Sequence, residues 1–236
     1  MKKPKPGYKF VEGLFGKKEE IPEDWDWQRI GENSILKGRI GWQGLTTAEY
    51  RDEGEFYLVT GTDFKNGRID WENCVYIDKE RYDQDTNIQL KKGDVLVTKD
   101  GTIGKIAFID KIPIPSTLNT GVFVIRPLNK KYHSLFLFYI LYSNYFTIFL
   151  NRLKGGSTIN HLYQKDFVNF HFPIPPIKEQ EKITNILSNI DSLIDIQKKI
   201  IGVNLKFPNL QNEKSLEMIK VGLMQKLLTG QIRVKV

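Results

Sequence analysis

Between residues 28 and 128 the hydrophobic positions come in short runs separated by turn residues. The runs are rich in β-branched and aromatic side chains and lie at 55–64, 74–80, 93–110 and 119–128. Runs of this length and composition predict β-strands. Asp100-Gly101 divides the third run into two apolar halves and predicts a hairpin, and Asn66-Gly67 predicts a second turn.

The pattern changes to helical spacing at residues 132–152. Apolar and aromatic residues recur there at steps of three and four, which predicts a helix. A loop containing two glycines is predicted at 154–158, and a short helix is predicted at 159–167.

A proline-rich strap ends this region. Pro173, Pro175 and Pro176 resist helix formation, and Pro176 suits the first turn of a helix that begins directly after it. That helix carries apolar residues, with one glutamine, at the a and d positions of a heptad: Ile183, Ile186, Ile190, Leu193, Gln197 and Ile200. We call these six positions the heptad stripe. Such a stripe is typical of helices that pack against partner helices.

The apolar face of this helix is too wide for a single neighbour. Leu187, Ile194 and Ile201 extend it at the e position, so more than one helix is expected to pack on it. Pro208 is expected to break or kink the helix, and a second helix is predicted at about 212–228.

These patterns together predict an α+β fold, in which a mixed-sheet domain is followed by long coiled-coil-like α-helices. Residues 1–24 combine prolines and clustered charges with little periodicity, and they are predicted to be an irregular leader. Trp25 and Trp27 mark the point where the chain is expected to dock on the core.

The charge is unevenly distributed along the chain. The net charge is +7, but residues 86–165 alone carry eleven Lys and Arg against three Asp and Glu. A local positive excess of this size favours a phosphate backbone as partner, although a solvated basic face would have the same composition.

The sequence lacks the motifs of a catalytic or metal-binding protein. A single cysteine, Cys74, excludes an intrachain disulfide and a cysteine-based zinc site and fits a reducing cytoplasm. Residues 100–105 resemble a phosphate loop in composition but not in spacing, and Asp63, Asp70 and Glu72 are expected to be solvated loop acids. We therefore expect no enzyme activity and no metal. No apolar run reaches spanning length, so we also expect no membrane segment.

Four loops combine residues that suit phosphate contact with residues that suit base contact. Lys and Arg bind phosphates, whereas Arg, Asn, Gln, Ser and Thr can read base edges. The candidate DNA-binding residues are Arg39, Gln43, Thr46 and Thr47 in the first loop, Lys65, Asn66 and Arg68 in the second, Lys99, Thr102 and Lys105 in the third, and Lys154, Ser157, Thr158, Asn160 and His161 in the fourth. Each is also an ordinary turn residue, so the set carries more weight than its members. Trp42, in the first loop, could stack or wedge against bases, but a tryptophan is more often buried, and burial is expected here.

Several stretches resemble the specificity subunits of type I restriction–modification systems. They are GDVLVTKDGTIGKIAFI, TGVFVIRP, FPIPPIKEQEKI with the helix that follows it, and the tail GLMQKLLTGQIRVKV. The strap followed by Glu179-Gln180 is the most specific of them. The resemblance covers about residues 21–236. It implies a target-recognition domain at 21–172, a strap and helical dimerisation and docking region at 173–230 and a tail at 231–236, after the leader at 1–20.

The resemblance implies a non-catalytic, cytoplasmic subunit that reads double-stranded DNA. Its usual members carry two recognition domains and two helices, whereas this sequence has room for one of each and resembles a half-size form. A homodimer through the heptad stripe, a bipartite palindromic site and docking of adenine methyltransferase subunits are implied. Restriction or translocase subunits are implied where present. S-adenosylmethionine, ATP and Mg²⁺ are expected on the partner subunits, and no cofactor is expected in this chain.

Two other hypotheses stay open at this point. The helices could oligomerise a protein whose globular domain binds a ligand other than DNA, or the chain could be an inactive reserve specificity cassette. The positive excess at residues 86–165 favours DNA over another ligand.

Overall fold

The computed structural model describes residues 3–154, 161–202 and 213–234. The chain divides into two compact units: Gln28–Phe172, here called the sheet unit, and Met1–Trp27 with Pro173–Val236, here called the helical unit. The recognition domain predicted at 21–172 overlaps the sheet unit, and its first seven residues group with the helical unit instead.

Most strands lie before residue 128 and the longer helices lie after it, and this segregation is typical of an α+β fold. The strands are β1 (Tyr8–Glu12), β2 (Lys18–Pro22), β3 (Asp26–Arg29), β4 (Ser34–Gly38), β5 (Phe56–Val59), β6 (Phe64–Lys65), β7 (Arg68–Ile69), β8 (Val75–Ile77), β9 (Val95–Thr98), β10 (Ile106–Phe108), β11 (Ser116–Leu118), β12 (Val122–Pro127) and β13 (His171–Ile174). The helices are α1 (Ile30–Asn33), α2 (Lys79–Asp83), α3 (Ser134–Tyr142), α4 (Asn144–Leu153), α5 (Gln164–Phe167), α6 (Ile177–Gly202) and α7 (Glu213–Leu228).

Two sheets form the centre of the sheet unit. The first is antiparallel, with strand order β10-β9-β12-β4. The second has the order β11-β5-β8 and is mixed, because β11 runs parallel to β5 while β8 runs antiparallel to it. The predicted α+β fold with a mixed sheet is therefore confirmed.

The first sheet is a middle layer with an apolar neighbour on each face. Leu96 and Val124 are cross-strand partners and share a hydrophobic core with Val59 and Leu118 of the second sheet. The opposite face carries Phe123, whose ring packs against Phe167 of α5. Since both faces are covered, β9 and β12 read as nearly continuous apolar runs rather than as alternating ones.

The helix predicted at 132–152 forms as two helices. α3 ends at Tyr142, and the chain bends by 58° before α4. Ser143 causes the break: its backbone is extended and its Oγ accepts a hydrogen bond from the N–H of Tyr145, which caps the new helix. In the described part of the chain no single helix is long and apolar enough to cross a membrane; α3 and α4 pass that test only as a bent pair.

The N-terminal residues were predicted to be irregular, and that prediction is wrong. β1 and β2 pair antiparallel from Tyr8↔Pro22 to Glu12↔Lys18. The hairpin is held by a partner that is distant in sequence, because the Tyr8 hydroxyl donates a hydrogen bond of 2.8 Å to the carbonyl of Gly230. Gly230 has φ +71, and a Cβ there would lie 2.6 Å from the ring of Pro22, so both conformation and space require glycine.

The two long helices of the helical unit run antiparallel. Lys198 of α6 pairs with Glu217 of α7 at 2.9 Å, and Asp191 of α6 pairs with Lys220 further along α7. The side chains buried on the two helices include Ile183, Leu187, Ile194, Met224, Leu227 and Leu228. α7 begins and ends within a residue of its predicted bounds, whereas Pro208 lies outside the described residues.

A buried carboxylate joins the start of α6 to the C-terminal segment. Glu179 is 1% exposed, and its carboxylate accepts hydrogen bonds from Trp25 Nε1 at 3.0 Å and from Arg233 at 2.8 and 2.9 Å. It also accepts one from the backbone N–H of Val234 at 3.2 Å. Four donors therefore satisfy one buried charge, which is the condition under which such a charge is tolerated.

Replacing Glu179 with Ala should destabilise the helical unit by about 2–3 kcal/mol, because Trp25 Nε1 would lose its buried acceptor and Arg233 its main partner. The effect stays below that of a fully buried ion pair, since Arg233 is partly solvated. Urea unfolding measures it. The exposed Glu181 in the same helical turn is the control, and its replacement should cost less than about 1 kcal/mol. Equal losses in both variants would contradict the assigned role.

Candidate nucleic-acid interface

Two of the predicted loops meet beside the first sheet. The loop between β9 and β10 contains Asp100, whose carboxylate is hydrogen-bonded to Nδ1 of His161 in the loop after α4. The backbone N–H of Leu162 donates to the carbonyl of Lys99 at 2.8 Å, which fixes the same pair of loops a second time. The predicted hairpin is confirmed, but its loop spans residues 99–105 rather than a tight two-residue turn.

The first predicted loop reaches the same place through the turn between β11 and β12. The side chain of Asn119 accepts from the N–H of Leu45 and donates to its carbonyl, both at 3.1 Å. Gly44 lies against Thr120: a Cβ at Gly44 would be 2.7 Å from Thr120 Cγ2. Lys99 donates its backbone N–H to the carbonyl of Gly121 at 2.8 Å. The exposed parts of residues 40–47, 99–105, 119–121 and 161–163 therefore form one surface, here called the loop surface.

The second predicted loop is the β6–β7 hairpin, and it lies next to the β9–β10 loop. Asn66 and Gly67 both have positive φ, as a two-residue hairpin turn requires, so the predicted turn is confirmed. Lys105 Nζ donates to the carbonyl of Gly61 just before this hairpin, at 3.2 Å. A cleft lined by Asn66, Lys105 and Leu150 separates the hairpin from α4.

Several cations of these loops already have partners. Lys65 pairs with Asp70 at 3.1 Å, and Arg68 pairs with Asp110. The cations themselves are exposed, Lys65 at 70% and Arg68 at 53%, so solvent screens both pairs and a phosphate could compete for either cation.

Arg39 does not lie at the surface, and the prediction that it contacts DNA is wrong. It is 1% exposed, and its guanidinium donates to the carbonyls of Leu118 at 2.7 Å and Arg81 at 3.3 Å. The side chain of Gln84 accepts a third bond at 2.9 Å. Burial, with a smaller contribution from Arg81, lowers the pKa of Arg39 to about 10, so it stays charged at neutral pH. Its five donors suit the carbonyls beneath the loop, which is why the side chain turns inward.

Gln43 is half-buried, and its Oε1 is enclosed with no hydrogen-bond partner in the described chain. Thr46 and Thr47 are exposed on the loop surface. The backbone N–H of Thr46 is already engaged by Glu49 at 2.9 Å, in a capping box that stiffens the loop.

Lys99 and Thr102 both border the loop surface, but they differ in burial. Lys99 is half-buried, its Nζ lies 5.0 Å from the centre of the Phe123 ring, and desolvation lowers its pKa. Thr102 is exposed, and its carbonyl accepts a hydrogen bond from the hydroxyl of Thr98 at 2.6 Å.

His161 is partly exposed, and its ring contacts that of Tyr163 at a tilt of 52° with ring centres 4.5 Å apart. Lys154 is exposed at the end of α4. Ser157, Thr158 and Asn160 lie outside the described residues.

Trp42 was expected to be buried, and it is the most exposed large apolar side chain of the sheet unit's described residues, at 80%. Its neighbour Ile40 is 54% exposed. The sequence does not predict this exposure, because the loop has no hydrophobic periodicity from which the direction of a side chain could be inferred.

Part of the positive charge excess at residues 86–165 is used in ion pairs and hydrogen bonds within the fold. Arg126 donates two hydrogen bonds of 2.7 Å to Asp94, which is 2% exposed, and further bonds to the carbonyls of Asn87 and Gln89. Among the residues described, no group of three or more His, Cys, Asp or Glu is placed to hold a metal ion.

The heptad stripe on α6 is divided between two environments. Ile183 is fully buried within the chain, so the prediction that it faces a partner is wrong: its side chain lies on the face that packs on α7. Ile186, Ile190 and Gln197 are half-buried. Leu193 is 52% exposed and Ile200 is 40% exposed.

The fold is that of specificity subunits. A solved structure of the HsdS subunit from Thermoanaerobacter tengcongensis matches with a TM-score of 0.54 and 19% identity, covering 94% of this chain and 48% of that one. The type I restriction–modification S subunit from M. genitalium matches with a TM-score of 0.53 and 19% identity, covering 87% of this chain and 46% of that one.

The family follows from sequence. The model of the type I restriction modification DNA specificity domain matches residues 22–203, and the chain belongs to this family. The MjaVIII specificity subunit of Methanocaldococcus jannaschii is 30% identical over 241 residues, covering 96% of this chain and 52% of the relative. The EcoKI specificity subunit of Escherichia coli is 23% identical over 181 residues, covering 73% and 38%. The chain spans about half the length of the curated relatives it matches. These relatives are named as specificity subunits, which agrees with the prediction of a non-catalytic chain.

Replacing Arg39 with Ala should lower the free energy of unfolding by about 3 kcal/mol, because the carbonyls of Leu118 and Arg81 would be left without donors. The exposed Lys37, two residues earlier, is the control, and its replacement should change stability by less than about 0.5 kcal/mol. Thermal unfolding followed by circular dichroism measures both. Equal stability of the Arg39→Ala and Lys37→Ala proteins would contradict the buried, supporting role assigned to Arg39.

Proposed function

We propose that this chain recognises a short DNA sequence and directs methyltransferase subunits to it, as the specificity component of a type I restriction–modification complex. The observation that carries the proposal is the loop surface. Residues from three of the four loops selected for their phosphate- and base-binding residues come together there, although the first and last of them, Gln43 and His161, lie more than a hundred residues apart in the chain.

The contacts divide into two kinds. Exposed cations, Lys65, Arg68 and Lys154, suit the phosphate backbone and would supply most of the salt-dependent affinity. The exposed hydroxyls of Thr46, Thr47 and Thr102 suit base edges. Arg39 supports the loop from beneath and makes no contact with DNA itself.

The chain supplies recognition and no chemistry of its own. Methyl transfer and cleavage, with S-adenosylmethionine, ATP and Mg²⁺, belong to partner methyltransferase and restriction subunits, and the complex works in the cytoplasm. Purification of the tagged chain from its native cell should yield an adenine methyltransferase, and mapping of methylated adenines should show a site lost on deletion of the gene. Methyltransferase or nuclease turnover by the highly purified chain alone would contradict the proposal, as would an unchanged methylome.

Two copies of the chain would form a two-fold dimer. Two copies match the length of one curated relative, and the heptad stripe is only partly covered within one chain: Leu193 and Ile200 are exposed, and Ile186 and Ile190 are half-buried. Pairing of this face with its copy would bury the stripe with Gln197 at the seam. A two-fold protein reads an inverted repeat, so the site would be a split palindrome with a fixed spacer.

A second candidate is a helical oligomerisation protein whose sheet unit binds a ligand other than DNA. The exposure of Met218 at 73% and Val221 at 57% on α7 favours an interaction role for the helices. The two candidates differ in salt dependence: affinity for DNA falls steeply as salt rises, whereas affinity for an apolar ligand does not. A reserve cassette would bind its partners but leave no methylated site.

Replacing Lys154 with Ala should weaken DNA binding by the assembled complex equally for all sequences and flatten the salt slope by about one unit. The matched control is Lys92, an exposed lysine at the opposite end of β9 from Lys99, whose replacement should leave affinity and slope unchanged. Fluorescence anisotropy at several salt concentrations measures both. The same slope in both variants would remove Lys154 from the interface.

Replacing Leu193 with Asp should abolish the dimer, because it places a charge in an apolar seam, while the monomer stays folded since Leu193 is half exposed within one chain. The control is Ser192→Asp, which adds the same charge at the neighbouring exposed position, off the stripe. Light scattering at micromolar concentration measures the mass of each. A wild-type monomer, or a dimer that survives Leu193→Asp, would rule out this seam.

A further inference from the structure

The first loop carries an apolar tip, residues 40–42, whose two large apolar side chains are exposed to solvent. Trp42 is 80% exposed and Ile40 is 54% exposed, with Gly41 between them in open space. An indole in water forgoes a large amount of apolar burial, so an ordered loop that holds one outward indicates a binding surface.

The tip is rigidly mounted. The N–H of Gln43 donates to the carbonyl of Ile40 at 2.9 Å, which closes a tight helical turn around Trp42. Arg81 donates to the carbonyls of Gln43 at 3.1 Å and Gly44 at 3.4 Å. Together with Arg39 below and Asn119 behind Leu45, these bonds fix the base of the loop on both sides. A fixed tip loses little conformational entropy when it binds.

The tip projects from the loop surface and not from a broad apolar patch. Thr46 and Thr47, which follow it in the same loop, are exposed, and Thr120 lies against Gly44. A narrow apolar projection with hydroxyls beside it has the shape and chemistry of a group that enters a groove of DNA. A protein–protein contact would require a wider apolar surface.

We propose that the apolar tip contacts base pairs of the recognised half-site directly and that Trp42 is a specificity-determining residue. This inference rests on the proposed function. An indole placed in a groove gains stacking or methyl contacts that differ between base pairs, and it carries no charge. It therefore adds discrimination between sequences without adding to the salt-dependent affinity for the phosphate backbone.

The test is parallel selection from a library of DNA duplexes with a randomised core, using the full-length chain with its co-purifying subunits. Wild type should enrich a defined motif. Trp42→Ala should enrich the same motif with adjacent positions relaxed and bind the wild-type motif roughly tenfold more weakly. Its affinity for unrelated duplex and its salt slope should be unchanged. Trp42→Phe should retain most of the selectivity. Leu128→Ala, which truncates an exposed apolar residue at the far end of β12, should behave as wild type.

Fluorescence gives an independent measurement. Trp25 is buried, and Trp27 and Trp71 are half-buried, so the part of the emission that iodide quenches and Trp42→Phe removes reports on Trp42. That part should become protected when the selected duplex is added. Unfolding in urea should be the same for wild type and Trp42→Ala, since the side chain is exposed.

Each other outcome overturns the inference. An identical motif and affinity for Trp42→Ala would remove the tip from the interface, and an equal loss on every duplex would make it a non-specific contact. Loss of a co-purifying subunit would assign it to a protein partner. If wild type itself enriches no motif, the proposed function fails as well, which distinguishes that failure from failure of the tip alone.

Discussion

The buried guanidinium of Arg39 is the interaction on which the loop surface depends. It lies beneath the first loop and donates to the carbonyl of Leu118 at the end of β11, to that of Arg81 in α2 and to the side chain of Gln84. Taking an arginine out of water is costly, and only a full set of acceptors offsets that cost. The loop is therefore tied to two elements at once, and its tip can be held in the solvent without an apolar core of its own.

Glu179 has the corresponding place in the helical unit. The strap before α6 would leave the helix free to begin at several angles, but a buried carboxylate in its first turn binds Trp25, Arg233 and the backbone of Val234. This gives a physical meaning to the Glu-Gln pair after the prolines. Gln180, fully buried beside Glu179, donates to the carbonyl of Pro175 at 2.8 Å and so fixes the strap itself. In both units a buried polar side chain, satisfied mainly by backbone and distant partners, sets the geometry of a segment that has little regular structure.

These two residues also mark the limit of prediction from the sequence. The strands, the Asp100 hairpin and the two long helices followed from local periodicity, because their side chains meet neighbours close in sequence or on the same face. The direction of Arg39, the exposure of Trp42 and the N-terminal hairpin depend on partners that lie far away in the chain, such as Leu118, Asn119 and Gly230. A local pattern contains no information on such pairs. The local charge excess contains no such information either: it does not separate Arg126, which forms an ion pair with the buried Asp94, from a cation that faces solvent.

The width of the apolar face on α6 has a consequence for assembly. α7 packs on the side that contains Ile183, Leu187 and Ile194, whereas Leu193 and Ile200 lie on the neighbouring side and stay exposed. In the proposed dimer, pairing within the chain and pairing between chains would therefore use different sides of one helix and would not compete. A single chain would fold its antiparallel helix pair first and would keep it in the proposed dimer. The ion pairs that join α6 to α7, Lys198 with Glu217 and Asp191 with Lys220, would then stay intact in the dimer, and the energy of association would come from the uncovered stripe alone.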